Sequence, residues 1–259
     1  MYYYLYDSFL NDKKYEKVLD RIKTQLLDLD IQGKHERMSL LKNIDSSIDS
    51  EINKGIKTII VVGNDKTFLK AVDVVARAGA TLGIIPIGPD NLIAGNMGIP
   101  EAEMACEVIA ARRIVKFDLG SVNNMYFFSN IKITKSIDRI SISHQGYKVI
   151  PKAVCSEVAV INCPYSVKGL KTKFINKVNP MDGQLDLVIR SKLEVKGLKK
   201  YFVKSNEQKV DSIIQGKMFE IKSFEYLPLM VDDYKVIKTP VTVKMSEKKI
   251  NVIIGKTRI

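Results

Sequence analysis

Two strands in this chain have almost no polar face. "TIIVV" (Thr58–Val62) and "LGIIPI" (Leu82–Ile87) are apolar nearly throughout, with a helical stretch from about Thr67 to Ala78 between them. A strand that meets water on neither side must be covered on both, as in a parallel sheet flanked by its own connecting helices. The rest of the first half keeps this rhythm. "YYYLY" (Tyr2–Tyr6) reads as a strand, Val18, Ile22, Leu26 and Leu29 then fall at helical spacing, and Gly33 closes that unit. Leu40, Leu41, Ile44, Ile48 and Ile52 form a second amphipathic stripe that stops at Gly55. "PEAEMACEVIAARR" gives a further helix with Pro100 at its start. The expectation is an α/β domain on a parallel sheet.

After about Lys116 the pattern changes. "RISISHQGYKVI", "EVAVINCPYSV", "QLDLVIRS", "FEIKSFEYLPLMV" and "PVTVKM" are short alternating or β-branched runs separated by Gly, Pro and Asn. They predict antiparallel strands in a sandwich or barrel, with "EVKGLKKYFVKSNEQKV" as a partly helical interruption. The change of rhythm puts a boundary at 117/118, and charge divides there too. Residues 1–117 hold 16 basic and 16 acidic side chains, whereas residues 118–259 hold 25 and 13 and carry the whole net charge of +12. One-sided charge speaks of partners rather than fold. It is either a solubilising lysine surface or a face for an anionic membrane, a phosphorylated substrate or nucleic acid. Nucleic acid is the weaker candidate, because arginine is scarce in this half and aromatics are not interleaved with the lysines.

No apolar run approaches the roughly 18 residues that span a bilayer. "MYYYLYDSFLND" lacks the basic region and cleavage site of a signal peptide, so none is expected. Cys106, Cys155 and Cys163 are odd in number and without paired spacing, which favours a reducing cytoplasm. His35 and His144 stand alone, so no zinc site can be read. Chemistry is therefore sought in the loops, and in an open parallel sheet ligands bind beyond the carboxyl ends of the strands. The first exit, "VVGNDKT", turns on Gly63 and runs through Asn64, Asp65, Lys66 and Thr67. Backbone N–H groups at such a turn offer an anion site, where Asp65 would hold magnesium or position a hydroxyl and Thr67 would donate to a phosphate oxygen. Equally, Asn64 or Asp65 would simply cap the next helix. The second exit, "IIPIGPDNLIAGNMGIP", is a candidate through Gly88 and Asn91, although Gly88-Pro89-Asp90-Asn91 is also an ordinary turn.

Together these segments resemble the diacylglycerol kinase catalytic domain family, within the wider group of NAD kinases and sphingosine kinases. That family's first loop reads GGDGT where this chain has Gly63-Asn64-Asp65-Lys66-Thr67. Its second reads P-x-G-T-x-N-D-x-A where this chain has Pro86-Ile87-Gly88-Pro89-Asp90-Asn91-Leu92-Ile93-Ala94. "FDLGSVNNMYFF", "NCPYS", "NPMDGQLDLVI" and "MVDDYKVIKTPVTVKM" resemble its later segments, in order and nearly to the end of the chain. The resemblance implies a three-layer Rossmann-like nucleotide-binding domain over residues 1–117 and an antiparallel β-sandwich lipid domain over residues 118–259. The last residues are free to pack back on the first domain, and the active site is implied between the two.

The resemblance also implies ATP and Mg2+ as cofactors, with Gly63, Asp65, Thr67, Gly88 and Asn91 facing the phosphates and metal. Asp118 and Asp232 would form the acid/base side, Asp232 taking the proton from a lipid hydroxyl. Asp182 would bind a structural magnesium, with neutral Asn179 where a second carboxylate is expected. Lys66 stands where backbone should touch phosphate, so it would either supply charge to the nucleotide or fill its place. Pro89 and Leu92 replace a threonine and an aspartate. The implied activity is ATP-dependent phosphoryl transfer to a lipid hydroxyl at the cytoplasmic face of a membrane. The alternative is an inactive member that binds lipid or nucleotide. The expected partner is a lipid substrate or an anionic membrane surface, and a homodimer is left open.

Overall fold

The computed structural model describes residues 1–39, 43–151, 155–166, 178–192 and 208–256. The chain divides into two compact units, Met1–Phe117 with Lys248–Ile259, and Asp118–Glu247. In the first unit, β1 (Tyr2–Tyr6), α1 (Glu16–Asp28), β2 (Gly33–Arg37), α2 (Ile44–Asn53) and β3 (Thr58–Gly63) come first in order. They are followed by α3 (Asp65–Ala78), β4 (Thr81–Pro86), α4 (Leu92–Asn96) and α5 (Ala105–Ala111). The strands lie parallel in the order β2-β1-β3-β4, and Asn251 and Val252 near the chain's end continue the sheet beside β4. Every residue of β3 and β4 is buried, as their unbroken apolar sequences require. Leu19, Ile22 and Leu26 of α1 are buried on its apolar stripe, and α3 buries Phe68, Leu69, Val72 and Val75.

Gly33 does not stop the preceding unit; it opens β2. A Cβ at this position would lie 2.2 Å from the Tyr2 carbonyl oxygen, so only glycine lets the two strands pair here. The rest of β2, "KHER", is polar and largely exposed, as suits a sheet edge, and carries no apolar signal. The helix expected from Pro100 begins instead as a 3-10 turn at Ala102–Met104, and α5 follows. Leu40 and Leu41 of the second stripe, and residues 194–207 of the partly helical stretch, lie outside the described residues.

The chain reaches the second unit within β5 (Ile114–Val122), followed by β6 (Met125–Phe127), β7 (Asn130–Ile133), β8 (Ile140–His144), β9 (Tyr147–Val149) and β10 (Cys155–Ile161). Then come β11 (Leu185–Lys192), β12 (Gln208–Gly216), β13 (Met218–Ser223), β14 (Pro228–Val231), β15 (Lys235–Lys238) and β16 (Val241–Ile253). One antiparallel sheet has the order β12-β11-β10-β7-β14-β15. A second antiparallel set joins β9, β8, β13 and the start of β16. Ile131, Val158 and Leu187 from the first meet Ile142, Phe219 and Val243 from the second in one apolar core. Two sheets sharing one core make a sandwich.

Candidate functional site

At the end of β3 the chain passes from sheet to helix in two residues. Asn64 is the N-cap of α3: its Oδ1 accepts the Thr67 N–H at 3.4 Å, and the Thr67 hydroxyl accepts the Asn64 N–H at 3.3 Å, a reciprocal capping box. The Thr67 hydroxyl proton is donated to Asp7 Oδ2 at 2.7 Å, just beyond β1. Gly63 permits this approach, since a Cβ there would lie 2.5 Å from Thr67 Oγ1 and 3.2 Å from Asp7 Cβ. Asp65 is buried and caps a different helix. Leu92 and Ile93 N–H donate to its two oxygens at 2.8 and 3.0 Å, and its own N–H donates to the Asp90 carbonyl at 3.0 Å. Burial pushes this carboxyl up to about 6, opposed by the N–H groups of Ile93, Leu92 and Ala94 and reinforced by Asp90.

The two strand exits are therefore one structure, which Ile87 N–H donating to the Gly63 carbonyl at 2.7 Å also ties. In the second exit Gly88 has φ +84°, and the Asn91 side-chain amide donates to the Gly88 carbonyl at 2.8 Å. Pro89 and Asp90 are exposed. Lys66 is exposed as well and makes no hydrogen bond or ion pair among the described residues.

These residues leave few free donors for the polyphosphate that the family pattern implies. From Asn64 to Phe68, four of five backbone N–H groups already donate within the protein, to Thr67 Oγ1, the Asp90 carbonyl, Asn64 Oδ1 and the Asn64 carbonyl. Thr67 has no second proton, and Pro89 has no N–H at all. Asn91 Oδ1 is buried and unpartnered, but it is an acceptor and offers nothing to a phosphate. Each Asp65 oxygen accepts one N–H from the start of α4.

In the second unit, Asp232 and Asp233 turn the hairpin between β14 and β15 with φ of +46° and +58°. The Asp232 carboxylate points inward and accepts the N–H groups of Phe128, Ser129 and Asn130 at 2.8, 2.7 and 3.1 Å. Burial pushes it up to about 7 despite those donors, with Asp233 adding to the rise. Asp233 itself pairs with Lys132. Asp118 joins the same cluster by its backbone: the Asn162 side-chain amide donates to the Asp118 carbonyl at 2.9 Å and to the Phe128 carbonyl at 2.7 Å. The Asp118 carboxylate accepts the Gly183 N–H at 2.7 Å. Asp182 is exposed, and its Oδ1 accepts the Gln184 N–H at 2.9 Å within its own turn; Asn179 does the same for Met181 at 3.1 Å. Asp182 raises neighbouring Asp186, which burial carries to about 6. Among the described residues no three His, Cys, Asp or Glu side chains converge on a metal position.

Asp7 and the Ser129, Asn130 and Asn162 group were not singled out from sequence. Asp7 was detectable in principle: it follows β1, which pairs with β3, so both exits open at the same sheet edge.

An α/β unit is followed along the chain by a β-sandwich, with aspartates at the strand exits of the first and at a hairpin of the second. Residues 8–122 match the model of the diacylglycerol kinase catalytic domain. The fold of the whole chain is that of a diacylglycerol kinase from Bacillus anthracis str. Sterne, with a TM-score of 0.78 at 19% identity, covering 100% of this chain and 98% of that one. A candidate diacylglycerol kinase from the same strain gives 0.78 at 18% identity, covering 100% and 96%. Over residues 8–122 the chain is thus similar to the diacylglycerol kinase catalytic domain family, and its fold is similar to that of solved diacylglycerol kinases. That family is nucleotide-dependent. No helix among the described residues is long and apolar enough to cross a membrane.

Proposed function

We propose that this chain is a lipid-binding member of the family whose nucleotide loop is closed, and that it transfers no phosphate from ATP. The supporting observation is the loop between β3 and α3, where four of the five backbone donors and the Thr67 hydroxyl proton are already engaged within the protein. An anion entering there would have to break those bonds, each costing about 1–3 kcal/mol when a buried partner is left unsatisfied. The test is calorimetric titration of the full chain with Mg-ATP, alongside ADP release in the presence of diacylglycerol micelles. The expected result is no saturable heat and no ADP. Saturable binding with lipid-dependent ADP release would overturn the reading.

A second reading is ATP-dependent phosphoryl transfer to a lipid hydroxyl with Asp232 as base. One observation favours it: burial carries Asp232 to about 7, the range in which a general base works best near neutral pH. Under that reading Asp232→Asn removes ADP release and leaves Mg-ATP binding intact.

A further inference from the structure

The outer face of the second antiparallel set carries a projection and a hollow side by side. Ile140 and Ile142 of β8 and Phe219 and Ile221 of β13 point into the core, so Ser141 and Ser143, with Lys222 and Glu220 paired opposite them, point out. Val149 of β9 packs against the same core, which turns Lys148 and Ile150 outward beside the two serines. The serines are small and their neighbours long, and an open groove of about 660 Å³ results. Phe224, in the turn after β13, stands on its rim with the ring fully exposed. The charges on this face are of both signs. Arg139 pairs with Glu225 at 2.9 Å and Lys222 with Glu220 at 2.8 Å. Asp138 and Lys148 also line the groove and are exposed, and neither has an ion pair or a hydrogen bond among the described residues.

We infer that this face is a contact between two copies of the chain related by a two-fold axis. The Phe224 ring of each lies in the groove of the other, and Asp138 of each stands opposite Lys148 of the other. A two-fold contact requires a patch that is complementary to itself, and a projection beside a hollow is such a shape. Charge selects the same occupant. Arg139, Lys148 and Lys222 share the face with Asp138, Glu220 and Glu225, so a partner of one sign would set half of these groups against their like. A second copy brings the same mixture. The carboxylate and the ammonium left without a partner inside the chain are then each given one, twice over. The ring gains by leaving water for a groove walled by Ile150 and by the stems of Lys148 and Lys222, whose ammonium heads stay wet. The inference goes beyond the proposed function and depends on neither lipid nor nucleotide.

Sedimentation of the full chain reads the association. The expected result is a dimer at about 100 µM that dissociates on dilution. Phe224→Ser removes two rings from each dimer and should weaken it at least about a hundredfold. Asp138→Lys and Lys148→Asp each set like charges together at two places, and each should weaken it about tenfold. The decisive sample is an equimolar mixture of those two charge variants. Both contacts between the unlike chains are then pairs of opposite sign, so association should return to the wild-type level. All three positions are exposed, and unchanged circular dichroism is expected for each variant. A wild-type chain that is monomeric at that concentration, a dimer indifferent to Phe224→Ser, or a mixture that associates no better than its components would each overturn the inference. None of these measurements uses lipid or Mg-ATP, so failure here leaves the proposed function standing, and failure of the proposed function leaves this contact standing.

Discussion

Asp232→Asn separates two opposing forces on one buried side chain. The carboxylate is stabilised by three backbone donors and penalised by burial, and burial prevails, raising it from 3.8 to about 7. Because the folded value lies above the unfolded one, the folded state holds this proton more tightly. The stability contributed is full below about pH 4 and is lost as pH rises through about 7. Between pH 5 and pH 8 the wild type therefore loses about 2–3 kcal/mol from this residue alone. Asparagine does not titrate, but its NH2 group cannot accept, so at least one of the Phe128, Ser129 and Asn130 N–H groups meets a donor instead. That costs about 1–3 kcal/mol at every pH. The variant should be clearly less stable at pH 5, and the gap should shrink or reverse by pH 8. Urea unfolding of both proteins at several pH values measures it, and titrations common to both cancel in the difference. A gap that stays constant from pH 5 to pH 8 would refute the reasoning, because Asp232 would then titrate at its ordinary value.

Thr67→Val keeps the shape of the side chain and removes the hydroxyl that serves both Asp7 and Asn64; it should cost about 1–2 kcal/mol in urea unfolding. Gly63→Ala drives a methyl group against Thr67 Oγ1 and should cost about 1–3 kcal/mol, visible as a lowered thermal midpoint. Lys66→Gly with Pro89→Thr and Leu92→Asp restores the family letters at three exposed positions. The fold should be unaffected, and calorimetry should still show no saturable Mg-ATP heat, since Asp65 and Thr67 remain engaged.

What was legible in the sequence followed the range of the forces involved. β3 and β4 declared themselves because each is buried at every residue, so the apolar run is continuous. Asn64 was readable as a cap because its partner, Thr67, is three residues away. α4 was not readable: it is five residues long, too short to show a period, and its capping carboxylate comes from Asp65, 27 residues earlier. The Asp7–Thr67 bond spans 60 residues and the Asp232 bonds span more than 100, so spacing could not tell a carboxylate facing a ligand from one facing backbone. β2 was missed for the opposite reason, since an exposed edge strand has no apolar pattern to read.

The same distinction bears on how a partly matching motif should be weighed. The family letters present in this chain have folding work of their own. Gly63 leaves room for Thr67, Asp65 caps α4, and Thr67 closes the capping box and holds Asp7. Gly88 adopts a positive φ, Asn91 ties its carbonyl, Asp118 holds Gly183 and Asp232 holds three N–H groups. The letters that differ sit where the fold asks little: Lys66, Pro89 and Leu92 are exposed, and Asn64 improves the cap that a glycine would make weakly. Folding alone would keep the first set and leave the second free to change, whether or not a nucleotide ever bound. Asp65 and Asp232 are thus evidence for the architecture before they are evidence for phosphoryl transfer. The chemistry has to be judged at positions whose side chains the fold does not need, and in this chain those are Lys66, Pro89 and Leu92.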